Sequence, residues 1–124
     1  TTFGGNPLIA SAALATLREL LSTNLISETL QKEKLFRKHL QHPLIEEVRG
    51  RGLMLAIILK SAEIADQLVL RAKDEQLILF WLLFEKRAVR ITPPLTISSE
   101  EILKGCGIIV DILEELNSNI EAVN

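Results

Sequence analysis

Residues 87–98 read RAVRITPPLTIS, and the organisation of the chain is legible outward from them. Val89 and Ile91 alternate with Arg90 and Thr92, the period of a half-buried strand. Pro93 and Pro94 lack the amide hydrogens that a ladder needs, so the strand must stop there. Leu95 and Ile97 then lead into Ser98-Ser99-Glu100-Glu101, where Ser98 can cap a helix and Glu101 can reach back to it. Arg90 therefore sits on a short strand with a rigid exit and a helix start behind it.

Immediately upstream, the apolar run at residues 77–84 has the length of a buried strand, and Glu85-Lys86-Arg87 is a polar connection, so the two strands are expected to form a hairpin. Before them, residues 61–76 predict a helix capped by Ser61, with Ile64, Ala65, Leu68, Val69 and Ala72 facing the core. Residues 44–59 predict two strands joined at Gly50-Arg51-Gly52, the second covered on both faces. That glycine pair has no third glycine at dinucleotide spacing and precedes a strand, so a bend or bulge is expected. Downstream, residues 99–116 predict a helix with Ile102, Cys106, Ile109, Leu113 and Leu116 on one face, followed by a frayed tail at 117–124.

At the other end, Asn6-Pro7 is a helix start, and residues 7–21 predict a helix with a broad apolar face that wants neighbours on more than one side. A more polar helix follows at residues 26–39, with Ile26, Leu30, Phe36 and Leu40 as its apolar positions. His39 and His42 have metal-compatible spacing, but no Cys or acidic ligand stands near and Pro43 ends the helix, so both are expected to be ordinary surface residues. Helices alternating with short strands, two of them hairpin-paired, give an α+β domain: a small, mostly antiparallel sheet with helices packed on it.

Composition narrows the function classes. The 124 residues carry a net charge of -2, which argues against a nucleic-acid footprint. Hydrophobic residues reach 48% while aromatics are 4%, so the apolar content is aliphatic, and some of it is expected to meet a surface outside the chain. The single cysteine, Cys106, excludes an internal disulfide and is a small buried residue rather than a nucleophile. No stretch has the length of a membrane span, and the expectation is a cytoplasmic protein with no membrane partner.

Three stretches, in order, resemble class III pyridoxal-phosphate (PLP) aminotransferases, the acetylornithine, ornithine and 4-aminobutyrate group: TTFGGNPLIASAAL at the start, EVRGRGLMLAI at residues 47–57, and RITPPLTIS at 90–98. The resemblance implies the C-terminal small domain of a PLP fold type I transferase. Residues 1–24 would be the end of the large-domain segment and the interdomain helix, 25–116 the small domain, and 117–124 the tail. Because Thr1 falls inside a motif, the expectation is a fragment or truncated product. The activity implied is transfer of an amino group from an amino acid to a 2-oxo acid or aldehyde, although the family also holds aminomutases and a decarboxylating relative. Cofactor PLP and a homodimer are implied, with the large domain missing.

Residue by residue, the resemblance makes Arg90 of R-x-x-P-P-L the arginine that binds the substrate carboxylate. It makes Thr2, beside Thr1, the contact to the phosphate of PLP bound in the neighbouring subunit. On the residues alone, Arg90 is a strand-edge arginine that reaches solvent or pairs with Glu85, and Thr1-Thr2-Phe3-Gly4-Gly5 is a turn before a helix N-terminus able to hold a phosphate. No lysine falls in the family's Schiff-base motif, so no catalytic residue and no metal ligand is expected here. Gln76 and the run FWLLFEK depart from the family pattern, which usually has a glycine near that strand start. The alternative is a non-catalytic binding or dimerisation module derived from such an enzyme.

Overall fold

The computed structural model describes residues 1–122. Eight elements follow in order: helix α1 (Pro7–Ser22), helix α2 (Leu25–His39), strands β1 (Ile45–Arg51) and β2 (Met54–Leu59), helix α3 (Ala62–Asp74), strands β3 (Phe80–Trp81) and β4 (Ala88–Ile91), and helix α4 (Ser99–Glu121). The strands form one antiparallel sheet in the order β1-β2-β4-β3. Helices α2, α3 and α4 pack together and against one face of it. This is the expected α+β architecture.

The helices begin where short polar side chains can take up free amides. The Asn6 side chain accepts from the Ile9 amide at 3.1 Å, Ser61 accepts from Ile64 at 3.3 Å, and Ser98 and Glu101 form the reciprocal capping box at 3.1 and 2.8 Å. Helix α3 buries all five positions its periodicity marks out. Helix α4 buries its expected stripe plus Ile112, and it continues through residues 117–121 instead of fraying at Asn117. Asn117 and Glu121 are bonded across that last turn at 2.9 Å; the end of the expected tail, residues 123–124, lies outside the described residues.

Three further expectations need correction. In α2 the buried side is set by Lys32, Phe36 and the following Leu40, with Leu35 half-buried, whereas Ile26 and Leu30 are exposed. Leu30 stands two positions from Lys32, about 200° around a helix. Secondly, His42 is no surface residue. Its side chain is 3% exposed, because Pro43 turns the chain so that Nδ1 accepts the Leu44 amide at 3.1 Å and Nε2 donates to Glu114 of α4 at 2.9 Å.

Thirdly, the run at residues 77–84 is not a long buried strand. Only Phe80 and Trp81 pair, at the edge of the sheet, and Ile78, Phe80, Leu83 and Phe84 are exposed. A run apolar at every position fits a strand covered on both faces, but this one has the helices on one side only. The hairpin with β4 does form, with Phe80 opposite Arg90 and Trp81 opposite Val89.

Candidate functional site

Strand β4 lies inside the sheet, between β2 and β3, so Arg90 is not at an edge. Its neighbours Val89 and Ile91 enter the core, while Arg90 itself stands exposed on the opposite, uncovered face. Ala56 of β2 is paired with it on one side and Phe80 of β3 on the other, and Ala56 in turn faces Arg49 of β1. Small Ala56 leaves an open depression between the two arginines, rimmed by Met54, Leu82 and Thr92. A second hollow, of about 170 Å³, runs from Arg90 past Phe80 and Pro93 toward Glu101 of α4.

The charges around this depression are unequally committed. Arg49 is held by Glu47 at 2.7 Å, which raises the arginine's pKa and lowers the carboxylate's. Arg87 bonds Glu46 at 2.8 Å and Glu85 at 3.3 Å; the Arg87 amide, then its guanidinium, hold the Glu85 carboxyl below its ordinary value. Glu85, an anticipated partner for Arg90, is thus taken by Arg87. Among the described residues Arg90 has no ion pair or side-chain hydrogen bond. An exposed guanidinium on a fixed strand, with all its donors open, can grip a planar anion through two parallel bonds.

Two clamps tie α2 to the sheet and its connections, one to the β1–β2 hairpin and one to the segment after β4, and neither is evident from sequence pattern. On α2, Glu33 accepts the Gly52 amide at 2.6 Å and the Arg37 guanidinium at 2.8 Å, while Arg37 donates to the carbonyls of Val48 and Gly50. The Gly52 amide, and then Arg37, lower the Glu33 pKa. The four-residue spacing of Glu33 and Arg37 predicts their own pairing but not the backbone groups they capture. The second clamp is Lys32, whose ammonium reaches the Leu95 carbonyl at 2.7 Å.

Thr1 and Thr2 lie in an exposed turn closed by a 3.3 Å bond from the Gly4 amide to the Thr1 carbonyl. Neither hydroxyl is committed to a partner among the described residues. A Cβ at Gly4 would collide with the Thr1 hydroxyl, so the glycine opens the space that hydroxyl occupies. Free hydroxyls before an N-terminus with spare amides suit a phosphate, as PLP would require. Neither threonine lines the hollows beside Arg90, and the structure does not join the two places into one site. Among the described residues no group of three or more His, Cys, Asp or Glu is arranged for a metal ion.

The family model for class III aminotransferases matches residues 1–113. The chain belongs to the class III aminotransferases. It is 35% identical, over 130 aligned residues, to putrescine aminotransferase of Pectobacterium atrosepticum, covering all of this chain and 28% of that protein. It is 33% identical to acetylornithine aminotransferase of Caldanaerobacter subterraneus, covering 94% of this chain and 30% of the relative. The solved structure of a Bacillus anthracis aminotransferase superposes with a TM-score of 0.84 at 29% identity, over 93% of this chain and 30% of its own. Ornithine aminotransferase from Toxoplasma gondii gives the same TM-score at 28% identity, over 96% and 30%. The chain therefore spans less than a third of the class III aminotransferases it matches. No helix among the described residues is long and apolar enough to cross a membrane.

Proposed function

We propose that this chain is the C-terminal small domain of a cytoplasmic, dimeric PLP-dependent aminotransferase that moves an amino group from an amino acid to a 2-oxo acid or aldehyde. Residues 1–24 lead out of the large domain, and residues 25–116 form the small domain. Arg90 receives the substrate carboxylate, and Thr2 with Thr1 contacts the phosphate of the cofactor held by the neighbouring subunit. The observation that carries this reading is the uncommitted Arg90 on an interior strand, flanked by two arginines already paired with carboxylates.

PLP, when bound, supplies the electron sink for the bonds at the amino acid's α-carbon. The contribution of this chain is orientation: a two-pronged contact fixes how the substrate presents that carbon. No lysine of the chain lies in the family's Schiff-base motif, so the lysine is supplied by the large domain. Borohydride treatment of the isolated chain with PLP should accordingly trap no adduct concentrated at one lysine.

Arg90→Lys in the full-length enzyme tests the assignment. Lys cannot form the fork, and loss of one charge-assisted hydrogen bond, about 1.5 to 3 kcal/mol, should raise the KM for the amino acid by at least about tenfold. PLP affinity should hold. Unchanged kinetics would overturn the role.

One observation favours a second reading, a non-catalytic dimerisation module: α1 buries none of its residues and exposes Leu8, Ile9, Leu14, Leu17 and Leu21. Self-association could cover that helix. Light scattering decides, since a monomeric chain at working concentration counts against it.

A further inference from the structure

We propose that Lys32 is a positioning residue for the carboxylate site: it latches the exit of β4 to α2 and so keeps Arg90 in place. The inference rests on the reading of Arg90 given above. Lys32 is the buried charged residue among those described, 8% exposed in the middle of α2. Burying an ammonium is costly unless it is paired and hydrogen-bonded, and this one is both. Nζ lies 2.7 Å from the Leu95 carbonyl, 63 positions along the chain, and 3.2 Å from Glu28 one turn back on its own helix.

Leu95 and Ile97 of the gripped segment pack against the core, but its polar ties are few. Arg90 is the penultimate residue of β4, and the ladder ends at Ile91 opposite Leu55. The next residues are Thr92, Pro93 and Pro94, of which the prolines have no amide to donate. The first backbone bond beyond them is local, Ile97 amide to Pro94 carbonyl at 3.1 Å. Between the last rung of the sheet and the capping box at Ser98, the Lys32 bond is, among the described residues, the long-range polar tie to the helical layer. If it is lost, the segment can fray back into the rung that carries Arg90. The same segment walls the hollow beside Arg90 through Thr92 and Pro93.

Latching differs from merely filling space in what it does to different substrates. The test uses the full-length holoenzyme and follows the cofactor's absorbance during the first half-reaction. L-Alanine, L-glutamate and L-ornithine serve as carboxylate-bearing donors, and butylamine as a donor without a carboxylate. Lys32→Met is expected to raise the half-saturating concentration of each active amino acid about three- to tenfold, with butylamine and PLP affinity unchanged. Lys32→Arg, which keeps a charged donor, should retain most of the wild-type preference. In an Arg90→Lys background, Lys32→Met should add nothing, because both changes act through one contact. Amide hydrogen exchange over residues 92–97 should quicken in Lys32→Met.

Equal losses on butylamine and the amino acids, or unchanged exchange at 92–97, would overturn the latch. If Lys32→Met does not fold, Lys32→Leu, which also lacks a donor, carries the same comparison. The two levels of the argument fail separately. Arg90→Lys without effect removes the carboxylate assignment itself, whereas an effect of Arg90→Lys with none from Lys32→Met removes only the lysine.

Discussion

Gln76 closes α3 with φ +61, the left-handed conformation in which a Cβ is disfavoured. Gln76 is therefore a local strain in this chain. Gln76→Gly should stabilise the domain by roughly 0.5 to 1 kcal/mol, because relief of about 1–2 kcal/mol of left-handed strain is partly offset by the freer unfolded chain. A rise in the urea midpoint at constant slope would show it. At the opposite extreme of burial, Cys106 is 1% exposed and burial pushes its thiol up to about 11. It should react with an aromatic disulfide at pH 8 only on unfolding, at a rate that follows denaturant rather than reagent; rapid labelling of the native chain would contradict this. The sequence placed Cys106 correctly because its neighbours repeat at helical spacing. It could not place His42, whose burial depends on Glu114, 72 positions away.

At the scale of elements, the β1–β2 hairpin depends on two glycines and one helix. Gly50 has φ +115, and a Cβ there would collide with the Met54 carbonyl, so Gly50→Ala should cost well over 1 kcal/mol and lower the melting temperature. The Glu33–Arg37 clamp adds a pH dependence with a defined sign. The carboxyl of Glu33 is held below its ordinary value, first by the Gly52 amide and then by Arg37. Its contribution is therefore fully present above the unfolded value of 4.5 and is lost as pH falls through the lower folded value. Urea titrations between pH 6 and 3 should show Glu33→Gln with a flatter acid limb than wild type; parallel limbs would exclude the clamp. Element identities were legible because caps and prolines are local signals. The extent of β3 was not, since residues 77–84 are apolar at every position and only the tertiary arrangement decides which faces are covered.

The whole molecule is divided between a packed body and apolar surface with nothing over it. Helices α2, α3 and α4 close one face of the sheet, but Met54 and Phe80 on the other face, Leu83 and Phe84 in the hairpin, and the leucines of α1 lie open. The aliphatic excess in the composition is thus assigned to particular places, in a chain that spans less than a third of the relatives' length. What the sequence could not tell was that α1, whose pattern demands neighbours, would have none of its residues buried among the described residues. Its helical period is real, but period alone does not say whether the covering surface belongs to the same polypeptide. Two substitutions separate the body from the uncovered part. Leu113→Ala, at a fully buried position, should cost about 2–5 kcal/mol in urea unfolding of the isolated chain. Leu17→Ser, 54% exposed, should change it by no more than about 0.5 kcal/mol. In the full-length protein proposed above, Leu17→Ser should instead become destabilising, because burial against the remaining protein would give that side chain about 1.5–3 kcal/mol to lose. If Leu17→Ser is as costly as Leu113→Ala in the isolated chain, α1 is part of the domain core; if it is silent in both settings, α1 is not an interdomain helix.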